Sequence, residues 1–208
     1  GERSCPERFG DMIKIGRRGS ISFTVTVTGK QGHSAYPHKA DNPVPKLARL
    51  IDRIAAARLD EGTEEFDAST LAVTSFDVGN RAGNVIPGEA MARFNIRYNT
   101  RHTPQSLKDW VAGEVALVEA ELGGRFAIHA SEGADVFITQ PGPFTALVQQ
   151  AVTTETNLVP ELSTSGGTSD ARFIKDICPV VELGLAGATM HKADECVPVA
   201  EIAALSDI

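Results

Sequence analysis

The sequence predicts an α/β chain in which a ferredoxin-like β-α-β-β-α-β module is inserted between two flanking segments. One observation is that strand and amphipathic helix patterns follow this order from about residue 19 to residue 132. A second is that the preceding residues are too few to form a domain. A third is that CPVVELGL, after residue 132, is continuously apolar, as in strands buried on both faces of an α/β sheet. We therefore expect domains over residues 1–18, 19–132 and 133–208, with the first and third belonging together.

The module is predicted to begin with a strand, a helix and a second strand. Residues Ser20–Gly29 alternate apolar and polar side chains, which is typical of a strand with one buried face. A helix is expected over Pro43–Leu59, with Asp41 or Asn42 as its cap, because proline is tolerated in the first helical turn. A strand with partial alternation follows over Thr70–Val78.

The second half of the module repeats the pattern. Ala90–Asn99 alternates cleanly and predicts a strand. Thr103 is expected to cap a helix that Pro104 begins and that ends at the glycine pair starting with Gly123. A short strand over Arg125–Ala130 completes an antiparallel sheet with helices on one face and the other face open.

The region after residue 132 is predicted to belong to a different α/β unit. A helix is expected over Pro143–Asn157, and the apolar run CPVVELGL predicts a buried strand. A final helix is expected over Pro198–Ile208. We interpret Cys178, on the predicted strand, and Cys196, in the loop after it, as structural residues rather than metal ligands.

The composition argues against several classes of function. A net charge of −7 and a pI near 5.2 argue against a nucleic-acid or anionic-membrane surface, which would need a basic face. Neither a membrane span nor a signal peptide is expected, because long apolar runs are missing. Three dispersed cysteines without a CxxC pair indicate reduced thiols and a cytoplasmic protein.

The loop Lys30–Pro43, which reads KQGHSAYPHKADNP, is the strongest candidate for chemistry. It holds His33 and His38 between a predicted strand and a predicted helix. Pro37 prevents both histidines from lying on one helical face, which excludes a pair of helical zinc ligands. From this stretch alone, it is equally plausible that both histidines are solvated loop residues without a function.

Four further groups carry chemistry but are weak signals when taken singly. They are Arg17–Arg18, the pair Asn84 and Arg97, the run STSGGTSDARF, and His191. An arginine pair is usually solvated, and a single histidine after a buried strand is usually structural. The GGTSD segment is either a turn or a set of backbone N–H groups that binds a carboxylate.

Together and in this order, six stretches resemble the succinyl-diaminopimelate desuccinylases, within the dizinc aminoacylase and carboxypeptidase superfamily. They are GDMIKIGRRGS, GHSAYPHKADNP, GNVIPGE, FNIRY, SGGTSDARF and TMHKADECVP, and they span nearly the whole chain. IKIGRRGS together with GHSAYPH resembles the desuccinylase branch more than the acetylornithine deacetylases. The resemblance implies that the module is a dimerisation lid inserted in a zinc-peptidase-like α/β catalytic domain, of which only the C-terminal part is present.

The resemblance implies roles for individual residues. His33 takes the place of a histidine that reaches across the dimer interface and stabilises the oxyanion in the partner's active site. Asn84 takes the place of a second polar group that the lid supplies. The residues that correspond to the carboxylate-binding set are Arg18, Arg97, Gly166, Gly167, Thr168 and Ser169.

The implied cofactor is a pair of Zn²⁺ ions per active site in the full-length enzyme, with Co²⁺ as an alternative. His191 occupies the place of a C-terminal zinc ligand. Glu2 matches the glutamate of the family's GEP[ST] motif, although Arg3 stands where that motif has proline. The remaining ligands and the general base of the family have no counterpart in this sequence. Because a catalytic zinc needs about three protein ligands plus water, we expect the 208-residue chain alone to be inactive and to bind zinc weakly.

The implied reaction is hydrolysis of the amide of N-succinyl-LL-2,6-diaminopimelate to succinate and LL-2,6-diaminopimelate, a step of lysine biosynthesis. The implied protein is a cytoplasmic homodimer that pairs through the lid and binds an acidic small molecule. The open sheet edge and the helix Pro43–Leu59 are the expected contact surfaces.

Two alternatives remain open. One is a related deacylase or metallopeptidase with another acyl preference, and the other is a non-catalytic dimerisation fragment.

Overall fold

The computed structural model describes residues 3–208 of the chain and divides it into two compact units. The flanking unit contains the residues up to Arg18, residues 64–66 and residues 136–208. The central unit contains Gly19–Thr63 and Asp67–Asp135.

The first eight elements in chain order are β1 (Met12–Lys14), β2 (Gly16–Arg17), β3 (Gly19–Thr28), β4 (Gly32–His33), α1 (Pro43–Ala56), β5 (Thr70–Asp77), β6 (Val85–Ile86) and β7 (Glu89–Tyr98). The remaining elements are α2 (Pro104–Leu122), β8 (Arg125–Ala130), β9 (Phe137–Ile138), α3 (Pro143–Thr156), β10 (Glu161–Ser163), α4 (Ala171–Ile174) and α5 (Val199–Asp207). No helix in residues 3–208 combines the length and the apolar character that crossing a membrane requires.

The central unit has the predicted ferredoxin-like topology. Its four strands lie in the order β5-β7-β3-β8, and each neighbouring pair is antiparallel. The register places Phe23 opposite Phe94, and the two rings stack with centroids 5.1 Å apart. Helices α1 and α2 cover the face that bears these rings, so the apolar positions predicted by the period-two pattern form the core.

The predicted caps explain where the two helices of the central unit begin. The Asn42 side chain accepts a hydrogen bond from the Val44 N–H at the start of α1. Thr103 and Ser106 form a reciprocal capping box at the start of α2. Gly123, at φ +65°, ends α2 in a conformation that a side chain would strain.

A buried carboxylate organises the loop between α1 and β5. Asp60 Oδ1 accepts hydrogen bonds from the Gly62 N–H and the Asn99 Nδ2, each at 2.7 Å. Its Oδ2 lies 3.0 Å from His102 Nε2, and the Ser69 N–H also donates to the carboxylate. Burial disfavours the ionised form, but hydrogen bonds from Ser69, Gly62 and Asn99 outweigh burial and hold the pKa of Asp60 well below its usual range.

The flanking unit is built from short paired strands and a small apolar core. Strand β1 pairs in parallel with β10, and β2 pairs antiparallel with β9. Ile13, Ile15 and Val152 are its buried apolar centre, so the short β1 and β2 segments are anchored against helix α3.

The prediction of a buried strand over CPVVELGL is wrong. This run makes one antiparallel bridge, between Lys14 and Glu182, and its apolar side chains are only half-buried. A strand buried on both faces needs neighbours on both edges, and the described residues provide none beyond this bridge. The structural role predicted for Cys178 and Cys196 is also wrong, because both thiols are exposed and Cys178 lies in a bend.

The final helix forms as predicted, but its apolar face is not buried. Helix α5 contains no buried residue, and Val199 and Ile202 are 81% and 51% exposed. The apolar spacing therefore identified the helix correctly without indicating its burial, because a periodic pattern does not say what a face packs against.

Candidate functional site

The histidine loop is closed at its base by contacts to Asp41. Lys30 and Asp41 exchange two backbone hydrogen bonds of 2.8 and 3.0 Å. The ammonium group of Lys46, on α1, lies 2.5 Å from the Asp41 carboxylate. Because the two ends are hydrogen-bonded to each other, residues 31–40 form a closed loop between β3 and α1.

The structure brings two of the predicted site residues together in this loop. Strand β4 pairs with β6, which places His33 opposite Val85. The next residue, Ser34, donates its N–H to the Asn84 carbonyl at 2.9 Å. Asn84 therefore lies in the turn directly before the strand that pairs with His33, and both residues are exposed.

The backbone of the loop sets the hydrogen-bonding state of His33. The Ala35 N–H donates to His33 Nδ1 at 3.0 Å. Because a backbone N–H can only donate, Nδ1 is the acceptor, and the neutral ring carries its proton on Nε2. The Tyr36 ring packs against the imidazole with centroids 5.9 Å apart. The loop thus presents an Nε2–H donor to its surroundings.

Arg97, predicted to bind a carboxylate, lies at the other end of the same sheet. It pairs with Ser20 on β3, whereas the histidine loop follows the end of β3 at which Thr28 pairs with Glu89. Eight residues separate Glu89 from Arg97, which corresponds to about 26 Å at the usual strand rise. One small molecule therefore cannot contact Arg97 and His33 of the same central unit.

A cavity of about 210 Å³ in the flanking unit contains a second group of candidate residues. Three cations contribute to its wall, together with a glycine turn. The lining includes Arg3, Lys14, Arg17, Gly166, Gly167 and Met190.

Arg17 is the most deeply buried of the three cations that line this cavity and is only 4% exposed. Its Nε donates to the Glu182 carboxylate at 2.5 Å, and its Nη1 donates to the Ser165 carbonyl at 3.3 Å. Its Nη2 is buried and has no hydrogen-bond partner among the described residues. A buried donor without a partner is costly, so this atom is suited to an acceptor that residues 3–208 do not supply.

Gly166 and Gly167 of the predicted GGTSD segment line the same cavity, whereas Thr168 and Ser169 follow them outside its lining. Gly166 has φ +102°, and a Cβ at this position would lie 2.5 Å from Arg17 Nη1. Ser169 is 7% exposed, and its Oγ is buried without a partner among residues 3–208. The glycine turn thus approaches the guanidinium closely, and the segment contributes a second buried polar atom, whereas Thr168 is half-buried.

The resemblance implies Arg18 for the carboxylate-binding set, but of these two neighbouring arginines the one that lines this cavity is Arg17. The sequence contained a usable signal, because Ile13, Ile15 and Arg17 follow the period-two alternation of an apolar strand face. That alternation predicts Arg17 on the same face as Ile13 and Ile15 and Arg18 on the other, although it does not identify Lys14, which lines the same cavity.

The described residues offer one candidate metal ligand rather than a complete metal site. His191 is exposed, and its backbone N–H donates to the Glu195 carboxylate at 3.3 Å. The predicted ligand Glu2 lies outside the described residues. Between residues 3 and 208, no three His, Cys, Asp or Glu side chains cluster closely enough to hold an ion. The donor set therefore does not meet the requirement of a catalytic zinc for about three protein ligands.

The departure from the GEP[ST] motif at Arg3 has a structural explanation. The Arg3 guanidinium pairs with Glu195 at 3.1 Å and donates to Thr189 Oγ1 at 3.2 Å. Both partners belong to the loop that carries His191. Arg3 therefore joins the start of the chain to the candidate ligand loop, which a proline at this position could not do.

Comparison with known proteins identifies the relatives of the chain. Residues 15–121 match the model of a family described as a peptidase dimerisation domain. All 208 residues align at 57% identity with a protein from Cereibacter sphaeroides named succinyl-diaminopimelate desuccinylase. The chain spans only about half the length of that relative, 55%.

Solved structures share the fold at low sequence identity. A tripeptidase from Staphylococcus aureus superimposes with a TM-score of 0.81 at 20% identity, over 98% of this chain and 52% of the other. An M20 family metallo-carboxypeptidase from Sulfolobus solfataricus superimposes with a TM-score of 0.76 at 15% identity, over 100% and 60%. The architecture is thus found in enzymes that cleave peptide bonds.

Proposed function

The chain belongs to the M20 peptidase dimerisation-domain family, and from this premise we propose that it is part of a metal-dependent amidohydrolase, a succinyl-diaminopimelate desuccinylase. The proposed reaction is hydrolysis of the amide of N-succinyl-LL-2,6-diaminopimelate to succinate and LL-2,6-diaminopimelate. The name of the relative that is 57% identical along the whole chain supports this reaction. Because the chain covers about half of that relative, the whole protein's activity is a proposal.

The observation that carries the proposal is the unsatisfied Nη2 of buried Arg17 beside the Gly166 turn. A carboxylate presents two oxygens to a guanidinium, and arginine is the side chain best matched to that geometry. The exposed backbone of Gly166 and Gly167 and the buried Ser169 Oγ add donors in the same unit. A substrate with several carboxylates is the ligand class that such donors favour.

We propose that His33 stabilises the oxyanion in a partner subunit's active site, with Asn84 beside it. The Nε2–H that the Ala35 contact leaves available is the correct group for this role, because an oxyanion needs a donor. Arg97 lies about 26 Å along its strand from Glu89, at the end of the sheet away from the histidine loop, which supports action in trans. Arg97 of one subunit and His33 of the other could then serve one substrate.

A homodimer through the central unit is consistent with the family to which the chain belongs. Strands β5 and β8 are the two edges of the sheet. Phe76 on β5 and Ile128 on β8 are 40% and 39% exposed, so both edges carry apolar side chains that a partner could cover.

We propose a divalent metal, Zn²⁺ in a two-ion site with Co²⁺ as an alternative, because the relatives include a metallo-carboxypeptidase. Bound zinc would supply Lewis-acid activation of the amide carbonyl and of water. His191 is the residue of the described chain that would hold it. Since His191 alone does not complete a zinc site, the remaining ligands must come from residues beyond those described.

The test uses the full natural gene product, zinc-loaded, with N-succinyl-LL-2,6-diaminopimelate and with the N-acetyl analogue. We expect amine release from the succinyl substrate at a much higher kcat/KM, and Arg17→Ala should lower that value at least tenfold. A preference for the acetyl substrate would favour a related deacylase. No turnover of either substrate, with dimer formation retained, would favour the non-catalytic dimerisation module instead.

A further inference from the structure

Lys14 is a buried cation in the wall of the flanking-unit cavity, and none of the proposed roles uses it. It lies on β1 and is 6% exposed. Its Nζ donates to Ser165 Oγ at 2.7 Å and to Ser163 Oγ at 3.4 Å. Within residues 3–208, no carboxylate lies within 4 Å of this ammonium group. Its described partners are therefore neutral hydroxyl groups and the Met12 sulfur.

The other two cations of the same wall are paired. Arg3 forms an ion pair with Glu195, and Arg17 forms one with Glu182. Lys14 is thus the lining cation whose charge the described chain does not neutralise locally. Burying such a charge is costly unless something compensates it, so the arrangement favours a ligand that brings negative charge.

Other charged groups near Lys14 only partly offset this cost. Burial and the positive charge of Arg17 lower the pKa of Lys14, while Glu161, Cys5 and Asp11 act in the opposite direction. A bound carboxylate in the cavity would oppose the lowering and stabilise the ammonium form. The charge of Lys14 and the binding of an anion would therefore be coupled.

The two serines connect Lys14 to the glycine turn. Ser163 Oγ and Ser165 Oγ lie 3.0 Å apart, and the Ser165 N–H donates to Ser163 Oγ at 3.2 Å. An ammonium group only donates, so the serine oxygens accept from Lys14. On the other side, Arg17 holds the Ser165 carbonyl. The segment that leads into Gly166 is thus held between two cations from β1 and β2.

We propose that Lys14 is a positioning and specificity-determining residue, which holds the Gly166 turn through Ser165 and favours acyl groups that end in a carboxylate over neutral acyl groups. The inference rests on the proposed function, since it concerns the same acidic substrate. It assigns to Lys14 an effect on the acyl-group preference that the Arg17 guanidinium alone does not account for.

The test compares variants of the full natural gene product on N-succinyl and N-acetyl substrates that share one amine. Lys14→Met removes the charge with little change in length, whereas Lys14→Arg keeps it. Lys175→Met is the matched control, because Lys175 lies in the same unit outside the cavity and pairs only with exposed Asp176. Succinate and acetate binding, measured by calorimetry, gives a readout that does not depend on turnover.

We expect Lys14→Met to lower kcat/KM for the succinyl substrate by about tenfold to hundredfold, mainly through KM. The acetyl substrate should change by less than about threefold, and succinate affinity should fall in parallel with the KM effect. Lys14→Arg should recover most of the loss, and Lys175→Met should behave as wild type. Equal losses on both substrates, or an unchanged succinyl-to-acetyl ratio, would overturn the inference.

If thermal melting shows that Lys14→Met is poorly folded, Ser165→Ala tests the same inference. It removes the hydroxyl through which Lys14 acts, so it should reduce the same ratio. Failure of wild-type protein to hydrolyse the succinyl substrate would contradict the proposed function. Succinate binding would then still decide the role of Lys14, since undiminished affinity in Ser165→Ala and Lys14→Met would overturn the inference separately.

Discussion

Nη1 of Arg17 lies 2.5 Å from the point that a Cβ on Gly166 would occupy. Gly166→Ala should therefore displace a guanidinium that is tied to Glu182, and it should also strain a backbone at φ +102°. We expect the free energy of unfolding to fall by about 1–3 kcal/mol. Succinate affinity of the full gene product should fall as well.

The neighbouring glycine gives a matched control for that experiment. A Cβ on Gly167 would meet nothing within 4 Å, so Gly167→Ala should leave stability nearly unchanged. Chemical denaturation and calorimetric titration with succinate measure the two effects. Equal behaviour of the two variants would show that the approach of Arg17 to the turn has no energetic consequence.

The buried carboxylate of Asp60 is expected to dominate the stability of the α1–β5 loop. Asp60→Asn removes the charge while two or more donors remain pointed at the side chain, which should cost about 2–4 kcal/mol. Exposed Asp52, on α1, is the control, and Asp52→Asn should change stability by less than about 0.5 kcal/mol. Urea denaturation at pH 7 checks both values.

The lowered pKa of Asp60 also predicts that the stability of the fold decreases at acid pH. Below its ordinary value of 3.8 the unfolded chain takes up a proton that the folded chain does not, so stability falls as the pH drops through this range. Above that value the contribution is fully present. Asp60→Asn should therefore show a shallower loss of stability below about pH 4. An unchanged acid slope would contradict the assignment.

The buried Tyr98 hydroxyl predicts that the stability of the fold decreases at alkaline pH. Burial, with a smaller effect of Asp135, raises the pKa of Tyr98 to about 12, and its hydroxyl donates to the Ala134 carbonyl at 3.1 Å. Since the unfolded tyrosine ionises near 10, stability should fall as the pH rises from about 10 to about 12. Tyr98→Phe should cost about 1 kcal/mol at pH 7 and flatten this alkaline loss.

Exposed Tyr36 serves as the control for the alkaline experiment, because it is 54% exposed. Tyr36→Phe should leave the alkaline slope unchanged. Thermal melts between pH 8 and pH 12 distinguish the two variants. A wild-type slope in Tyr98→Phe would mean that another group is responsible for alkaline unfolding.

Action of His33 in trans predicts subunit complementation. His33→Ala and Arg97→Ala should each inactivate the full gene product, and His33→Ala should lower kcat far more than zinc content. In a randomly mixed population of the two variants, half of the dimers contain one of each, with one intact site per mixed dimer. Activity should then recover to about one quarter of wild type. No recovery on mixing would contradict the action of His33 in trans.

The central unit was predictable because its signals are local. Proline after a capping residue determined where α1 and α2 begin, and alternation identified Phe23 and Phe94 as core positions. The same reasoning failed for CPVVELGL, because an apolar run does not reveal whether partner strands are available.

Some residues of the candidate site could also be predicted from the sequence, and others could not. His33 and Gly166 could be recognised from the sequence, because a histidine in a predicted loop and a glycine-rich run are both features of neighbouring residues. The resemblance implies Arg18, although of the two neighbouring arginines only Arg17 lines the cavity, and no sequence pattern indicates Lys14. The importance of Arg17 depends on Glu182, 165 residues further along the chain, and that of Lys14 depends on Ser165, 151 residues further along.

By itself, then, the sequence determined the order of elements, their ends and the family of the chain, because periodicity, caps and motifs are properties of neighbouring residues. Only the tertiary structure decided which cation contacts the Gly166 turn, and that the histidine loop and Arg97 stand at opposite ends of one sheet. The physical reason is that burial and pairing of charge depend on the residues that meet in space, and these contacts join segments far apart in the chain.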